Sequence, residues 1–195
     1  MRNCQYLLRN PRSLNAILLN GIFTALLVLA LFWNVGEYDA QDLNNPALLG
    51  RFVGNLLGLA FMMTNNICFS SSSGVIIQMP LQVPVFRREK ANKMYTSTTY
   101  FFSRFWSNSL LQLFYPISTV LVVFGGLKID NSFENIALFM LYAVILNLVM
   151  IAQGYFCGTL SDNENVAQQT NTFLMILFML TSGGLANAGS FPSYM

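Results

Sequence analysis

One short stretch of the chain places charged side chains next to aromatic ones. Residues 82–100 read QVPVFRREKANKMYTSTTY. The charged members of this stretch are Arg87, Arg88, Glu89, Lys90 and Lys93, and its bulky apolar members include Phe86, Met94 and Tyr95. Such side chains can form salt bridges and pack against the surface of a partner. The pattern therefore predicts a short helix or turn that docks a partner, and an ordinary basic surface loop is the alternative interpretation.

A second segment concentrates amides and hydroxyls. Residues 64–73 read TNNICFSSSS. Asn66 and Phe69 are three residues apart and would share one face of a helix. An amide can orient a ligand with one hydrogen bond, and a phenyl ring can stack on a flat apolar molecule. The spacing indicates a substrate cavity, while hydrogen bonding and small-residue packing between helices explain the same residues equally well.

A third segment, residues 181–192, reads TSGGLANAGSFP. Two adjacent glycines weaken a helix, and Pro192 favours a helix end or a turn. This composition is consistent with a bend, a gate or a re-entrant segment. The simple end of a helix is an equally good interpretation.

The residue types that most enzyme sites need are missing or scattered. The chain has no histidine, only three cysteines, and acidic residues dispersed along its length. This composition provides no plausible zinc or iron site and no Ser–His–Asp or Cys–His arrangement. Neither a G-x-x-x-x-G-K-[ST] phosphate loop nor a G-x-G-x-x-G motif occurs. We therefore expect no enzyme activity and no bound cofactor or metal in this chain by itself.

The overall composition indicates a membrane protein. Of 195 residues, 54% are hydrophobic, and the charged residues are 10 basic and 8 acidic, or 9%, whereas an average soluble domain has about 25%. So little charge argues against a soluble globular domain, whose surface must be solvated, and against disorder, which requires low hydrophobicity. A net charge of +2 also argues against nucleic acid as a partner.

The elements that carry these segments follow from where charge is absent. Five charge-free runs exceed the roughly 20 residues that a membrane-spanning helix requires, namely residues 13–36, 52–86, 105–127, 135–161 and 165–195. We predict an all-α integral membrane protein, a polytopic bundle of five transmembrane helices with a short cytoplasmic helix. The predicted spans are about residues 16–35, 52–72, 107–126, 136–158 and 170–187.

The basic residues predict which side of the membrane each segment faces. Arg2, Arg9 and Arg12 precede the first span, and five basic residues lie between residues 87 and 104. The segment after the first span is acidic instead. Because basic residues accumulate on the cytoplasmic side, we place the N-terminus and residues 79–104 in the cytoplasm.

Several landmarks together resemble the membrane domain of the ABC-G subfamily of ABC transporters, the White, sterol-exporter and multidrug-exporter group. The most specific is PVFRREKANKMYTSTTYFFSR at residues 84–104, which is similar to a family signature of the form VFxREkxxgmYxxxaYfxak. TNNICF at residues 64–69 also resembles a family pattern. Further landmarks, spread over the rest of the chain, are RNPRS, LFWNVG, CGTLSDNENVA and SGGLANAGSFP.

This resemblance implies an architecture larger than one chain. Each membrane domain of the family has six spans, two such domains surround one translocation pathway, and a nucleotide-binding domain precedes each of them. The implied partners are a nucleotide-binding domain, in cis or in trans, and a second half-transporter as a homodimer or heterodimer, within membrane lipids. ATP and Mg²⁺ are expected on the nucleotide-binding domain. Compared with the family pattern, the 195 residues are expected to be a half-transporter truncated before its sixth span.

The resemblance also implies roles for particular residues. Those implied to couple the chain to the ATPase domain are Phe86, Arg88, Glu89, Lys90 and Tyr95. Those implied to line the substrate cavity are Asn66, Phe69, Ile176 and Met179, and those implied to gate its exit are Gly184 and Leu185. The departures from the family pattern are Gly184 in place of a leucine, Gln82 in place of an acidic residue and Lys93 in place of a glycine.

The function implied is ATP-driven export of lipids, sterols or amphipathic small molecules by alternating access, with this chain as the membrane-spanning part. The alternative is a five-span membrane protein that does not transport and acts as a binding or regulatory subunit. A channel is disfavoured because no span contains a charge ring or a filter-like carbonyl motif.

Overall fold

The computed structural model describes residues 11–33, 46–127, 132–161 and 163–182. Every regular element within these residues is a helix, which confirms the predicted all-α class. The helices, in chain order, are α1 (Pro11–Leu31), α2 (Pro46–Ile76), α3 (Gln78–Ala91), α4 (Ser97–Gln112), α5 (Phe114–Gly126), α6 (Phe133–Leu160) and α7 (Glu164–Thr181).

Three stretches of the described residues are long and apolar enough, by length and composition, to cross a membrane. They are Leu48–Ile76, Ser97–Gly126 and Phe133–Leu160. These stretches correspond to the second, third and fourth predicted spans. The third is longer than predicted, because α4 and α5 follow each other with a break only at Leu113. The structure therefore supports a multi-pass helical membrane protein.

The first and fifth predicted spans are matched less completely. The apolar part of α1, Ile17–Leu31, is shorter than the other three stretches. α7 begins earlier than predicted and opens with the polar residues ENVAQQTNT. Only its second half is apolar, so α7 is not among the three long apolar stretches. Residues 183–187 of the predicted fifth span lie outside the described part of the chain.

The bundle distributes polar and apolar groups in the opposite way to a soluble protein. Leu19 and Phe23 on α1 are 67% and 66% exposed, and Leu138 on α6 is 65% exposed. By contrast, Asn147 and Asn171 are fully buried. Soluble monomers rarely expose apolar surface of this extent, whereas acyl chains cover it readily. The outward faces of α1 and α6 are therefore suited to contact with lipid.

The largest buried cluster joins α1, α2, α5 and α6. Its members are apolar side chains that interlock between these helices, namely Ala25, Val28, Leu29, Leu59, Met63, Ile67, Tyr115, Val120, Val123, Leu127 and Ala143. This cluster places α2 in the middle of the bundle, with neighbours on several sides. The polar segment that follows Met63 along α2 therefore reaches more than one other helix.

Two glycines allow α6 to approach α2 and the start of α3 closely. A Cβ added at Gly154 would lie 2.8 Å from the carbonyl oxygen of Ser72, and one added at Gly158 would lie 2.9 Å from the Cβ of Met79. Real side chains cannot occupy such positions without a shift of the backbone. The G-x-x-x-G spacing on α6 thus serves close packing between helices, as it does in many membrane helices.

A proline explains the break between α4 and α5. Pro116 has no backbone N–H, so the carbonyl of Gln112, four residues earlier, lacks its helical donor. The side-chain amide of Asn147 on α6 donates to this carbonyl instead, at 2.9 Å. Because an unsatisfied carbonyl is costly in an apolar environment, the buried Asn147 fixes the α4–α5 junction against α6.

Candidate functional site

A groove of about 670 Å³ lies between α1, α2 and the α4–α5 junction. One stripe of α2, continued by Ile77 directly after its end, forms the longest wall, and its α2 members are Asn66, Phe69, Ser70, Ser73 and Gly74. The positions follow the spacing i, i+3, i+4, i+7, i+8 and i+11, which is one face of an α-helix. Asn66 and Phe69 therefore line one groove, and their contact with a substrate stays a prediction.

Other helices supply the remaining walls of the groove. The lining residues on α1 are Ile17, Asn20 and Thr24, and those on the α4–α5 junction are Gln112 and Tyr115. Thr24 Oγ1 lies 3.3 Å from Tyr115 Oη, which joins α1 to α5 at the groove. None of these residues was predicted to belong to a site. The sequence nevertheless contained an indication of three of them. Asn20, Thr24 and Gln112 are polar residues inside charge-free runs, and polar side chains in such runs often contact a partner or line a cavity.

The other face of α2 bonds to α7. Asn171 Nδ2 donates to Ser72 Oγ at 3.1 Å, and Gln153 Nε2 on α6 donates to Asn171 Oδ1 at 3.3 Å. Gln168 Nε2 donates to Ser73 Oγ at 3.3 Å, at the boundary between the two faces. The serine-rich end of α2 thus shows both features that its sequence suggested, interhelical hydrogen bonds on one face and a groove on the other.

The two cavity residues predicted on α7 are not among the residues that line this groove. Ile176 is 48% exposed, and Met179 is half-buried. Met175 of α7 does pack toward α2, in a small buried cluster with Cys68 and Met150 against which Phe69 is packed. A role for Ile176 and Met179 in substrate binding stays a prediction.

The described residues contain no candidate metal centre, since no three His, Cys, Asp or Glu side chains come together. The polar lining of the groove consists of amides and hydroxyls, which suit hydrogen bonding to a neutral ligand. The predicted gate residues, Gly184 and Leu185, lie outside the described part of the chain.

The segment predicted to dock a partner contains α3, which contacts α2 and α6. The sequence predicted a short helix or turn here, and the structure has a helix. Arg88 and Lys90 are exposed, whereas Phe86, Glu89 and Tyr95 are half-buried. The five predicted coupling residues thus comprise two exposed cations and three half-buried residues.

Phe86, Tyr95 and Tyr100 form an aromatic cluster that joins α3, the turn after it and the start of α4. The ring centroids of Phe86 and Tyr100 are 4.5 Å apart, and those of Tyr95 and Tyr100 are 5.7 Å apart. The Tyr95 hydroxyl donates to the Glu89 carboxylate. Removal from water and this hydrogen bond raise the pKa of Tyr95 to about 12, so the hydroxyl keeps its proton and keeps donating at physiological pH.

α3 ends in a hydrogen-bonding pattern that usually contains glycine. The N–H of Lys93 donates to the carbonyl of Lys90 at 3.0 Å, and the N–H of Met94 donates to the carbonyl of Glu89 at 3.3 Å. These two bonds define a Schellman motif, in which the residue after the helix cap is left-handed. Lys93 has a φ of 54°. It occupies the position at which the family pattern has a glycine.

The groove and α3 together have the features of a membrane transport protein. A helical bundle with lipid-suited faces contains an uncharged groove, and Gln78 both lines that groove and begins the charged helix α3. A small-molecule site between membrane helices, joined to a surface helix, suits a transporter. The chain belongs to the ABC-2 type transporter family, whose family model matches residues 1–195.

The chain is also similar to several curated transporters. It is 28% identical over 146 residues to Protein white of Ceratitis capitata, which covers 73% of this chain and 21% of that protein. It is 29% identical over 189 residues to the broad substrate specificity ATP-binding cassette transporter ABCG2 of Mus musculus, covering 95% of this chain and 27% of that protein. It is 22% identical over 194 residues to the ABC transporter ATP-binding protein/permease wht-3 of Caenorhabditis elegans, covering 100% of this chain and 30% of that protein.

The chain therefore spans less than a third of the length of these relatives. The matches confirm the predicted resemblance: the chain is an ABC-2 type transporter membrane domain that is distantly similar to ABC-G transporters over most of its length. The domain detected is the membrane domain, and no ATPase domain was found in this chain. Family membership and the long apolar helices agree on a multi-pass membrane protein.

Proposed function

We propose that this chain forms the membrane pathway of an ATP-driven transporter that exports lipids, sterols or other amphipathic small molecules by alternating access. The observation that carries this proposal is a shared element. Ile77 and Gln78 line the groove, and Gln78 is also the first residue of α3. A displacement of α3 therefore moves one wall of the groove. A direct connection of this kind is what coupling between a surface helix and a ligand site requires.

The energy source is proposed to be a nucleotide-binding domain, in cis or in trans, that binds ATP and Mg²⁺. Arg88 and Lys90 are exposed on α3 and suit pairing with acidic side chains of that domain. Phe86, Glu89 and Tyr95 instead brace the segment through the aromatic cluster and the Tyr95–Glu89 hydrogen bond. Two of the five residues thus contribute to coupling by contact with the nucleotide-binding domain, and the other three by making the segment rigid.

A second half-transporter, identical or different, is proposed to complete the pathway. The resemblance implies a cavity role for Ile176, whereas the single chain leaves this residue 48% exposed on α7. Phe173 and Phe178 on the same helix are exposed as well. A partner half that packs beside α7 would cover these apolar side chains and would enclose Ile176 between the two halves, with lipid around the remaining surface.

Vesicle transport tests the proposed function. The chain is expressed with and without an ATPase-bearing half-transporter, and uptake of a fluorescent sterol or dye into inside-out vesicles is measured with and without ATP. We expect uptake only when the chain, the partner and ATP are all present. Uptake that is unaffected by the removal of ATP would contradict the proposal.

The same experiment distinguishes a binding or regulatory subunit. Such a subunit would associate with the ATPase-bearing partner and change its rate of ATP hydrolysis. The uptake catalysed by that partner would then continue when this chain is omitted. Dependence of uptake on the chain therefore separates the two functions.

A further inference from the structure

We propose that the groove binds an uncharged amphipathic molecule that donates a hydrogen bond through a hydroxyl group, and that Gln112 determines the preference for that donor. This inference deepens the proposed function, on which it rests for the transport step. The binding step stands separately, on the lining of the groove, the state of the Gln112 amide and the contacts that hold this residue in place.

The lining of the groove favours a neutral ligand. None of its lining residues carries a charge, and its polar groups are the amides and hydroxyls of residues such as Asn20, Thr24, Asn66 and Gln112. A charged ligand that entered the groove would lose its hydration and would meet no opposite charge there. This loss is costly in an apolar surrounding. Ile17 and Phe69 supply apolar surface beside these groups. An amphipathic molecule with a neutral polar end matches this combination.

Most polar groups of the groove already have partners within the chain. The Asn66 amide donates to the carbonyl of Met62 at 2.9 Å, and Thr24 Oγ1 donates to the carbonyl of Asn20 at 2.8 Å. Gln112 differs from them, because its side-chain oxygen Oε1 is buried without a hydrogen-bond partner. A buried acceptor without a donor is uncommon in folded proteins. Gln112 therefore has an unused capacity to accept a hydrogen bond from a ligand in the groove.

The contacts of Gln112 hold its side chain at the groove. Its backbone carbonyl is bound by Asn147 because Pro116 leaves it without a helical donor. Its side-chain nitrogen lies 3.0 Å from the position that a Cβ at Gly74 would occupy. Glycine at position 74 thus provides the space for the amide. The terminal torsion of glutamine is broad and roughly two-fold, so rotation about it exchanges the two amide atoms and brings the oxygen to the side of Gly74, which also lines the groove.

The dimensions of the groove fit a small amphipathic molecule. Its volume of about 670 Å³ lies within the range of roughly 300–1,000 Å³ that is typical of sites for drug-sized ligands. The groove also reaches Gln78, at the end of the bundle that we predict to be cytoplasmic. A molecule that enters from the cytoplasmic side would therefore meet the Gln112 amide inside the groove.

Binding to the 195-residue chain in lipid nanodiscs, without nucleotide, tests this inference. The two probes are a fluorescent sterol with a free 3-hydroxyl and the 3-methyl ether of the same sterol, which cannot donate a hydrogen bond. The wild-type chain should bind the alcohol about two- to tenfold more tightly than the ether, the range that one neutral hydrogen bond supplies. Gln112→Met keeps the side-chain volume and should bring this ratio close to one.

Two controls keep the result specific to the Gln112 amide. Gln169→Met makes the same change at an exposed glutamine of α7, outside the groove lining, and should leave the preference for the alcohol unchanged. Gly74→Ala should reduce the preference without altering Gln112 itself, because its methyl group displaces the amide. Gly54→Ala is its matched control, since a Cβ at Gly54 meets nothing within 4 Å.

The outcomes separate this inference from the proposed function. Equal affinity of the wild-type chain for both probes, or an unchanged preference in Gln112→Met, would overturn the inference. If neither probe binds, the inference is also overturned. This holds even where the cause is a second copy of the chain that occupies the groove. A Gln112-dependent preference in binding, combined with no ATP-dependent uptake in vesicles, would refute the transport function and leave the site in place.

Discussion

At the scale of single residues, Lys93 is the one non-glycine residue with a positive φ in the described part of the chain. The left-handed conformation costs an L-residue roughly 1–2 kcal/mol, whereas glycine adopts it freely. The two hydrogen bonds that end α3 hold Lys93 in this conformation. The departure from the family glycine at this position therefore has a definite cost in the folded state.

Lys93→Gly should stabilise the protein by about 0.5–1 kcal/mol. The relief of the left-handed strain exceeds the entropy that glycine adds to the unfolded chain. The free energy of unfolding in detergent micelles measures the effect. Lys90→Gly is the control inside α3, and it should destabilise the protein by about 0.5–1 kcal/mol. A loss of stability in Lys93→Gly would contradict the assignment of a Schellman motif.

Replacement of Arg88 should mainly affect transport, whereas replacement of Tyr95 should mainly affect stability. Arg88→Ala removes an exposed cation, so it should lower ATP-dependent uptake while the free energy of unfolding changes by less than about 0.5 kcal/mol. Tyr95→Phe removes the hydrogen bond to Glu89 and should cost about 1 kcal/mol of stability. Measuring ATP-dependent uptake and the free energy of unfolding for both variants tests whether Arg88 acts by contact and Tyr95 by stabilising the segment. Normal uptake in Arg88→Ala would remove Arg88 from the proposed coupling contact.

At the scale of elements, the junction of α4 and α5 depends on a residue of α6. Asn147→Leu should destabilise the protein by about 1–3 kcal/mol, because the carbonyl of Gln112 loses the side-chain donor that replaces its helical donor. Pro116→Ala returns a backbone N–H to α5. The two changes together should therefore cost less than the sum of the single changes, which a double-mutant cycle of unfolding free energies measures.

Asn65→Leu is the matched control for the Asn147 replacement. The Asn65 amide also donates to a backbone carbonyl, that of Phe61, at 2.8 Å. This carbonyl is four residues earlier in an uninterrupted helix and has its own helical donor. Asn65→Leu should therefore cost less than Asn147→Leu, and it should show no coupling to Pro116→Ala. Strict additivity of Asn147→Leu and Pro116→Ala would show that the two residues do not act on the same carbonyl.

The helix α2 shows which features helical periodicity can predict and which it leaves open. The spacing of Asn66 and Phe69 was enough to predict that both share one helical face, and both line the groove. The choice between a cavity and interhelical packing was open, because periodicity does not specify which helix meets each face. The structure shows that Ser72 bonds to Asn171 on one side while Asn66 borders the groove on the other.

At the scale of the whole molecule, the predicted orientation can be tested by labelling. Lys93 is exposed in the turn after α3, and Phe133 is 85% exposed at the start of α6. One long apolar stretch, Ser97–Gly126, separates them. In a background with Cys4→Ser, Lys93→Cys and Phe133→Cys should react with an impermeant maleimide from opposite sides of sealed vesicles.

The expected pattern is specific for each position. Lys93→Cys should react only in inside-out vesicles or after lysis, and Phe133→Cys only in right-side-out vesicles. The remaining cysteines, Cys68 and Cys157, are buried and provide a low background. Reaction of both introduced cysteines from the same side would contradict the predicted topology.

The sequence by itself determined the helical class, the long apolar helices at the centre of the chain, and the charged segment beside them. These are local properties, because the absence of charge over 20 residues and the period of a helix can be read along the chain. Family membership followed from landmarks of the same local kind. The departure at Lys93 was also visible in the sequence, although its left-handed conformation was not.

Only the tertiary structure decided which of these elements meet. The groove combines Asn20 from the first helix with Gln112 and Tyr115 from the fourth and fifth, and no spacing along the chain connects these residues. The bond from Asn147 to the carbonyl of Gln112 likewise joins residues 35 positions apart. Contacts of this kind depend on how helices pack, which is set by the shapes of facing side chains and by the glycines that let α2 and α6 approach.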